Sequence, residues 1–238
     1  MTIGGLQKFS LIDYPGKISA VVFLSGCNFR CGFCHNPELV VPELTKNQEP
    51  ISEKDFFEFL KSRAGKLDGV CVTGGEPTIW RDLPEFLEKI KKLGFFVKLD
   101  TNATNPKTIK RLINSGLVDY FAVDIKNSSQ KYEATVGAKV NMRDIKKSLK
   151  IIVVNNIILE LRTTVIPELI VSEDFVKIKK WLEELGVLPK VFLYAIQQFR
   201  PLKTLDKKFE KIKPYSEKEL KKMGKVFGNK IKVEIRGI

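Results

Sequence analysis

Three of the four cysteines, Cys27, Cys31 and Cys34, lie within eight residues and have the spacing C-x3-C-x2-C. Thiolate sulfur is a strong ligand for soft and borderline metals. In a reducing compartment such a cluster is typical of a metal-binding or catalytic site rather than of disulfides, and the odd count leaves one thiol unpaired. The chemistry of the chain is therefore expected to centre on this loop, residues 25–36.

Two of the metal sites that this spacing allows fit the chain poorly. A structural zinc ion needs a fourth ligand in tetrahedral geometry, but the one histidine, His35, directly follows Cys34, and Cys71 is distant in sequence. The segment Cys31–His35 also matches the C-x-x-C-H pattern of c-type haem attachment, which requires export and leaves Cys27 unexplained.

The third possibility is an iron–sulfur cluster with three protein ligands. Each cysteine of the loop can bind one iron of a four-iron cluster, and thiolates are the usual ligands of such clusters. The fourth iron then keeps an open coordination position, which is typical of catalytic rather than structural metals.

The elements that position this loop alternate along the chain. Apolar runs of strand length predict strands at Ser19–Leu24, Gly69–Thr73, Phe95–Leu99, Tyr120–Ile125, Ile157–Val165, Lys190–Ile196 and Lys230–Arg236, covered on both faces. Amphipathic periodicity predicts helices at Glu53–Ala64, Asp82–Leu93, Pro106–Ser115, Met142–Val153, Glu173–Leu185 and Glu217–Phe227. This alternation predicts an α/β fold with a parallel sheet.

Polar residues follow several predicted strands, where ligands gather in parallel α/β folds. The second predicted strand leads into Gly74-Gly75-Glu76, the third ends near Asp100, the fourth leads into Asp124-Ile125-Lys126, and the fifth contains Arg162. Buried charges without partners are costly, so we expect these side chains to form one polar site.

Composition excludes several classes of protein. The chain has 238 residues, of which 43% are hydrophobic and 29% charged, so it is neither disordered nor fibrous. We expect one domain over residues 1–238, with a C-terminal helix and strand at 216–236. It contains no apolar run of about 18 residues and no signal-peptide pattern, so we expect a cytoplasmic protein without a membrane partner.

The net charge of +13 is compatible with a Lys/Glu-rich solvated surface or with an acidic partner. The stretch Lys203–Lys222 contains eight lysines and four acidic residues, which is typical of a solvated helical face or of a docking site. No aromatic stacking platform is evident among these charges, so the stretch argues against a nucleic-acid partner.

The cysteine loop after the first predicted strand, together with Gly74-Gly75-Glu76, resembles the radical S-adenosylmethionine (SAM) enzymes. The resemblance implies an incomplete (β/α)6 TIM-like barrel of parallel strands and one 4Fe–4S cluster bound by Cys27, Cys31 and Cys34. It also implies that Gly74, Gly75 and Glu76 bind the ammonium group of SAM.

The segments Leu99–Asn102 and Val123–Lys126 are similar to those of one branch, the glycyl-radical-enzyme activating enzymes. That similarity implies that Asp100 and Asp124 hold a monovalent cation beside the SAM carboxylate, and that Lys126 and Arg162 lie close to SAM. Asn36, which follows the last cysteine, is expected to contact the cofactor.

The opening SLIDYPGK and the loop CNFRCGFCHNPELV are similar to anaerobic ribonucleoside-triphosphate reductase activating proteins. The resemblance implies that the reduced cluster cleaves SAM to methionine and a 5′-deoxyadenosyl radical, which abstracts hydrogen from a glycine of a partner enzyme. It further implies a flavodoxin or ferredoxin as electron donor.

Two alternatives remain at this point. A radical SAM enzyme could act on a small molecule such as a nucleoside or deazapurine precursor, although substrate-binding residues beyond the SAM set are not evident. A non-catalytic cluster-binding or zinc-binding module would leave Glu76, Asp100, Asp124 and Lys126 without an explanation.

Overall fold

The computed structural model describes residues 1–45 and 49–238. Its strands form one sheet in chain order: β1 (Ile3–Ser10), β2 (Ser19–Leu24), β3 (Gly69–Gly74), β4 (Phe96–Thr101), β5 (Tyr120–Asp124), β6 (Ile158–Val165), β7 (Leu193–Gln198) and β8 (Val233–Arg236). Strands β2 to β8 are parallel, and β1 pairs antiparallel with β2. Within the described ranges no pairing joins β1 to β8, so the curved sheet forms an incomplete barrel.

The helices lie between the strands: α1 (Pro37–Val40), α2 (Pro42–Thr45), α3 (Glu53–Ser62), α4 (Leu83–Lys92), α5 (Pro106–Asn114), α6 (Tyr132–Val136), α7 (Met142–Val154), α8 (Ser172–Glu184) and α9 (Glu217–Gly224). Two of them begin at side-chain caps that the sequence indicates. Ser52 accepts a hydrogen bond from the Asp55 N–H at 3.0 Å, and Asn105 accepts one from the Thr108 N–H at 3.2 Å. In the described part of the chain, no helix is long and apolar enough to span a bilayer.

The two faces of the sheet differ in chemistry. In β4, Val97 and Leu99 belong to the main hydrophobic core, together with Phe86 of α4. Because successive strand residues point to opposite faces, Lys98 and Asp100 lie on the other face, inside the barrel. The expectation that these strands are apolar on both faces is therefore wrong for β4, whose inner face is charged.

Strand β1 is the element that sequence patterning misses. Gly4 and Gly5 weaken the strand signal, and the strand is supported by its antiparallel pairing with β2 rather than by its own propensity. The predicted strand at 190–196 begins later, at Leu193, because residues Leu188–Lys190 form a 3-10 turn.

The lysine-rich stretch 203–222 is not one helical face. It contains a 3-10 turn at Lys207–Lys211 and reaches α9 only after Pro214, which cannot donate a helical hydrogen bond. The last helix ends in a further 3-10 turn at Lys225–Phe227.

Candidate active site

The residues predicted to carry the chemistry meet in one cavity of ≈ 220 Å³ at the carboxyl ends of the parallel strands. Its lining includes every predicted site residue: Cys27, Cys31, Cys34, Asn36, Gly74, Gly75, Glu76, Asp100, Asp124, Lys126 and Arg162. Five different strand ends or loops contribute to this set, so only the folded sheet brings the residues together.

The cysteine loop leaves β2 and is fixed to its surroundings by backbone hydrogen bonds. The Gly26 N–H donates to the Leu39 carbonyl at 2.6 Å, and the Arg30 N–H donates to the Val136 carbonyl at 2.8 Å. The Cys34 carbonyl accepts from the Leu205 N–H at 3.0 Å. These bonds hold the three thiols along one wall of the cavity before any metal binds.

Burial and the charge of Lys126 act in opposite directions on the pKa of the three thiols. Burial raises the pKa of Cys27 to about 12 and that of Cys31 to about 11, and it also raises the pKa of Cys34. The positive charge of Lys126 acts in the opposite direction on the pKa of all three thiols. Because a thiol must lose its proton to bind a metal, Lys126 favours metal binding at each cysteine.

The three thiols of the cysteine loop line one cavity. A zinc ion requires four ligands that converge on one point, whereas a four-iron cluster takes each thiolate on a different iron. Three thiols on one loop therefore fit a four-iron cluster with one iron left open.

The glycines after β3 allow two backbones to pack closely beside the cysteines. The Gly75 N–H donates to the Leu24 carbonyl and the Glu76 N–H to the Gly26 carbonyl, both at 2.8 Å. A Cβ atom on Gly75 would lie 2.0 Å from the Gly26 carbonyl oxygen, which leaves no room for a side chain. Gly74 has φ +117°, a conformation that glycine adopts readily.

The Glu76 side chain is buried and joins the ends of β3 and β4. Its Oε1 accepts hydrogen bonds from the Thr78 N–H at 3.0 Å and the Thr101 hydroxyl at 2.6 Å, while Oε2 accepts from the Asn102 N–H at 2.6 Å. The carboxylate thus braces the cavity wall from inside the protein. A direct contact between Glu76 and SAM stays a prediction.

A continuous chain of charges crosses the inner face of β4, β5 and β6. Lys98 pairs with Asp100, whose other oxygen lies 2.8 Å from Arg162 Nη1. Arg162 Nε lies 2.9 Å from Asp124 Oδ1, and Lys126 Nζ lies 2.9 Å from Asp124 Oδ2. Although burial opposes ionisation, these cations hold the pKa values of both aspartates below their ordinary range.

The predicted cation site does not fit this arrangement. Asp100 and Asp124 are the side chains that the family resemblance assigns to a monovalent cation, yet each of their oxygens already pairs with a lysine or arginine nitrogen. An added cation would have to displace one of these side chains. We therefore assign no role to a monovalent ion.

The aromatic residues between the cysteines are buried. Phe29 packs edge to face on Tyr132, and Phe33 on Phe209, with ring centroids 6.4 and 6.1 Å apart. Both phenylalanines also line the cavity, so they limit access of water to the cysteine loop.

The remaining predicted residues have different surroundings. His35 Nε2 lies 2.9 Å from the Arg200 carbonyl oxygen, and its ring stacks on Phe199. Asn36 occupies the N-cap position of α1 but makes no side-chain capping bond. Cys71 is fully buried away from the lining of the cavity, as expected for a small apolar side chain in a strand.

Sequence reasoning missed Lys98 and the segment that follows β7. A lysine inside an apolar strand was the available signal for Lys98, because an isolated buried charge requires a partner. The segment after β7 covers the cysteine loop through backbone bonds, among them the Asp206 N–H to the Gly32 carbonyl at 2.8 Å. Backbone contacts of this kind leave no pattern in the sequence.

The partial parallel barrel places the loop with three thiols beside a charged cavity at the carboxyl ends of its strands. Residues 21–182, about two thirds of the chain, match the family model of the radical SAM superfamily. The chain belongs to this superfamily.

Two curated relatives extend the match over nearly the whole chain. A Methanocaldococcus jannaschii protein named "Putative glycyl-radical enzyme activating enzyme MJ1227" is 37% identical over 94% of this chain and 90% of its own. The pyruvate formate-lyase-activating enzyme of Clostridium pasteurianum is 29% identical, covering 94% of this chain and 95% of its own. These relatives are consistent with the activating-enzyme branch.

The fold is shared with a solved structure. Streptococcus suis SuiB superimposes with a TM-score of 0.68 at 17% identity, over 91% of this chain. The chain spans about half of the SuiB chain, 48% of its length, and the likeness concerns the fold alone.

Proposed function

We propose that this protein is a radical SAM activating enzyme that generates a glycyl radical on a partner enzyme, and that the partner is an anaerobic ribonucleoside-triphosphate reductase. The observation that carries the proposal is the single cavity in which three thiols face a charged wall with paired carboxylates, lysine and arginine. The similarity of the chain to activating enzymes over its whole length supports the activating role.

In this proposal Cys27, Cys31 and Cys34 each bind one iron of a 4Fe–4S cluster, and the positive charge of Lys126 favours their thiolate forms. A bound, reduced cluster would supply the single electron for cleavage of SAM, and SAM cleavage would supply the radical that removes a hydrogen atom from the partner's glycine. The protein itself needs no general base for this chemistry.

The remaining site residues bind and orient SAM. Lys126 and Arg162 are the cations nearest the cavity, and their aspartate partners hold them in place, so they are suited to bind the SAM carboxylate. Gly74, Gly75 and Glu76 line the same cavity, where their backbones and the carboxylate would bind the ammonium group. Phe29 and Phe33 exclude water from the reacting groups.

The open side of the barrel is suited to admit a loop of a protein substrate. A second cavity, of ≈ 540 Å³, lies between the segment after β1 and the end of β8, and Lys98 and Arg162 line it from inside. Ile12 lies at its edge and is 82% exposed. An exposed apolar side chain beside an open cavity is typical of a protein-binding surface.

The electron donor in this proposal is an acidic flavodoxin or ferredoxin of the cytoplasm. The segment after β7 carries Lys203, Lys207, Lys208, Lys211 and Lys213, and it covers the cysteine loop. A basic surface beside the cluster loop would attract an acidic electron carrier and bring it close to the metal.

The test is transfer of the radical. The reconstituted protein, reduced anaerobically, is incubated with SAM and with the anaerobic ribonucleoside-triphosphate reductase of the same organism, and the glycyl radical is recorded by electron paramagnetic resonance. We expect a radical doublet on the reductase and none when pyruvate formate-lyase replaces it. Cleavage of SAM without a radical on any glycyl-radical protein would overturn the proposed protein partner and favour a small-molecule substrate.

A further inference from the structure

The charged side chains inside the barrel include more cations than carboxylates. Lys98, Arg162 and Lys126 contribute three positive charges, and Asp100 and Asp124 two negative ones, so the formal net charge is 3 − 2 = +1. The exposed fraction of the side chains increases from 3% at Lys98 to 19% at Lys126, which faces the cavity. Lys126 lines the cavity and is the most exposed of these three cations, so it lies within reach of an anionic group there.

Three neighbouring groups lie beside the Lys98 ammonium. Its ammonium lies between Asp100, the Cys71 sulfur at 3.7 Å and the Tyr120 ring, whose centroid is 5.8 Å away. The register pairs Cys71 with Lys98 on neighbouring strands, so the backbone fixes both groups. The nearby carboxylate raises the pKa of Lys98 despite burial, so the side chain remains charged at neutral pH.

Arg162 connects the pair of Lys98 and Asp100 to Asp124 at the cavity. It bridges Asp100 of β4 and Asp124 of β5 with two different nitrogens, and on β6 it is in register with Asp124. With Lys98 in place, each carboxylate oxygen of Asp100 and Asp124 pairs with a lysine or arginine nitrogen.

We propose that the Lys98 ammonium takes the place of a monovalent metal cation in this chain, so that SAM binds without such an ion. The inference rests on the proposed function, because it concerns how the site binds the SAM carboxylate. The two aspartates then serve to position Arg162 and Lys126 instead of coordinating an ion.

The first test uses the full-length protein without its cluster. Its thermal unfolding midpoint is measured in KCl, NaCl and N-methyl-D-glucamine chloride at equal ionic strength. We expect the same midpoint in all three salts for the wild type. A saturable rise with Na⁺ or K⁺ would show a cation site and overturn the proposal, whether or not the protein cleaves SAM.

The second test compares SAM affinity, by calorimetric titration of the reconstituted protein, in the same three salts. Wild-type affinity is expected to agree within twofold among them. For Lys98→Met, which keeps the length of the side chain without its charge, we expect at least a tenfold loss in N-methyl-D-glucamine chloride and recovery in KCl or NaCl. Lys91→Met is the matched control, because Lys91 pairs with Asp119 at 2.8 Å away from the cavity.

A tenfold loss of wild-type affinity without Na⁺ or K⁺ would overturn the proposal, and so would unchanged affinity in Lys98→Met. If Lys98→Met does not fold, the wild-type comparison still decides, and Lys98→Ala with added methylammonium offers a second variant. If the wild type binds no SAM in any salt, the proposed function fails, whereas the unfolding experiment still tests for the cation.

Discussion

At the scale of single residues, Gly75 determines how closely two loops of the site can approach. Its missing side chain lets the turn after β3 contact the backbone just before Cys27. For Gly75→Ala we expect a loss of about 1–3 kcal/mol in the free energy of unfolding, because the added methyl group would overpack this contact. Iron bound after reconstitution should fall to less than half of the wild-type value.

Gly5→Ala is the control for this variant. A Cβ atom there would lie 3.5 Å from Phe23, an ordinary contact, and Gly5 is outside the cavity. Equal iron content and equal stability in Gly75→Ala and Gly5→Ala would contradict the close approach described here.

Arg162 shows why a planar guanidinium is required between two carboxylates. Lysine has a single ammonium group and cannot place two nitrogens in the fixed geometry that pairs with both Asp100 and Asp124. We expect Arg162→Lys to lose about 1–3 kcal/mol of stability in urea titrations. SAM affinity should fall roughly tenfold, equivalent to about 1.4 kcal/mol.

The exposed pair of Arg111 and Glu85 provides the comparison. Both side chains are more than half exposed, at 57% and 55%, so Arg111→Lys should change stability by less than about 0.5 kcal/mol. A similar small effect for Arg162→Lys would mean that the bridge across the aspartates contributes little.

At the scale of elements, Asp174 attaches the first turn of α8 to the loop after β5. It is fully buried and accepts hydrogen bonds from Lys131 Nζ at 2.8 Å, the Ser128 hydroxyl at 3.1 Å and the Val171 N–H at 3.1 Å. Although burial opposes ionisation, these bonds hold the pKa of Asp174 below its ordinary value. The ionised carboxylate therefore stabilises the folded state.

A carboxylate with a depressed pKa in the folded state contributes stability above its unfolded pKa of about 3.9 and loses that contribution as the pH falls towards the folded value. Asp174→Asn should therefore cost about 1–3 kcal/mol at pH 7 and progressively less below about pH 4. Urea unfolding of both proteins at several pH values measures the difference. A difference that stays constant down to pH 3 would show that ionisation of Asp174 is unimportant.

The elements also show how far sequence reasoning reaches. The β/α alternation and the helix starts at Ser52 and Asn105 could be predicted, because periodicity and capping are local properties. Strand β1 could not, since its stability depends on pairing with β2. Of the two interpretations of the lysine-rich stretch, a helical face or a docking site, the helical face does not fit, because Pro214 and the contacts with the cysteine loop give the backbone another path.

The same distinction applies to the site. The cysteines, glycines and polar strand ends were predictable because they follow short strands in a fixed order. Lys98 was not, because its role depends on the register that places it beside Cys71 and on the reach of Arg162 across β5. Interactions across several strands have no local signature in one sequence.

At the scale of the whole molecule, we expect the partner enzyme to bind at the open side of the barrel. Ile12 lies at the edge of the open side of the barrel, and Ile12→Glu would place a charge in the proposed interface, where burying it is costly. We expect the yield of glycyl radical per SAM cleaved to fall at least tenfold, which corresponds to about 1.4 kcal/mol. Electron paramagnetic resonance together with product assay measures this ratio.

Val154→Glu serves as the matched variant, because Val154 is 76% exposed at the end of α7, outside the open side of the barrel. It should leave the ratio of glycyl radical to cleaved SAM unchanged. Equal ratios in Ile12→Glu and the wild type would place partner entry elsewhere on the molecule.

Cleavage of SAM tests most directly whether the cysteine loop holds a catalytic cluster. The experiment compares three proteins: the wild type, Cys27→Ala and Cys71→Ala. Each is reconstituted anaerobically with iron and sulfide, reduced with dithionite and given SAM, and the 5′-deoxyadenosine formed is measured. We expect 5′-deoxyadenosine from the wild type and from Cys71→Ala, but none from Cys27→Ala. Product from Cys27→Ala, or none from iron-loaded wild type, would contradict the assignment of this loop to a catalytic cluster.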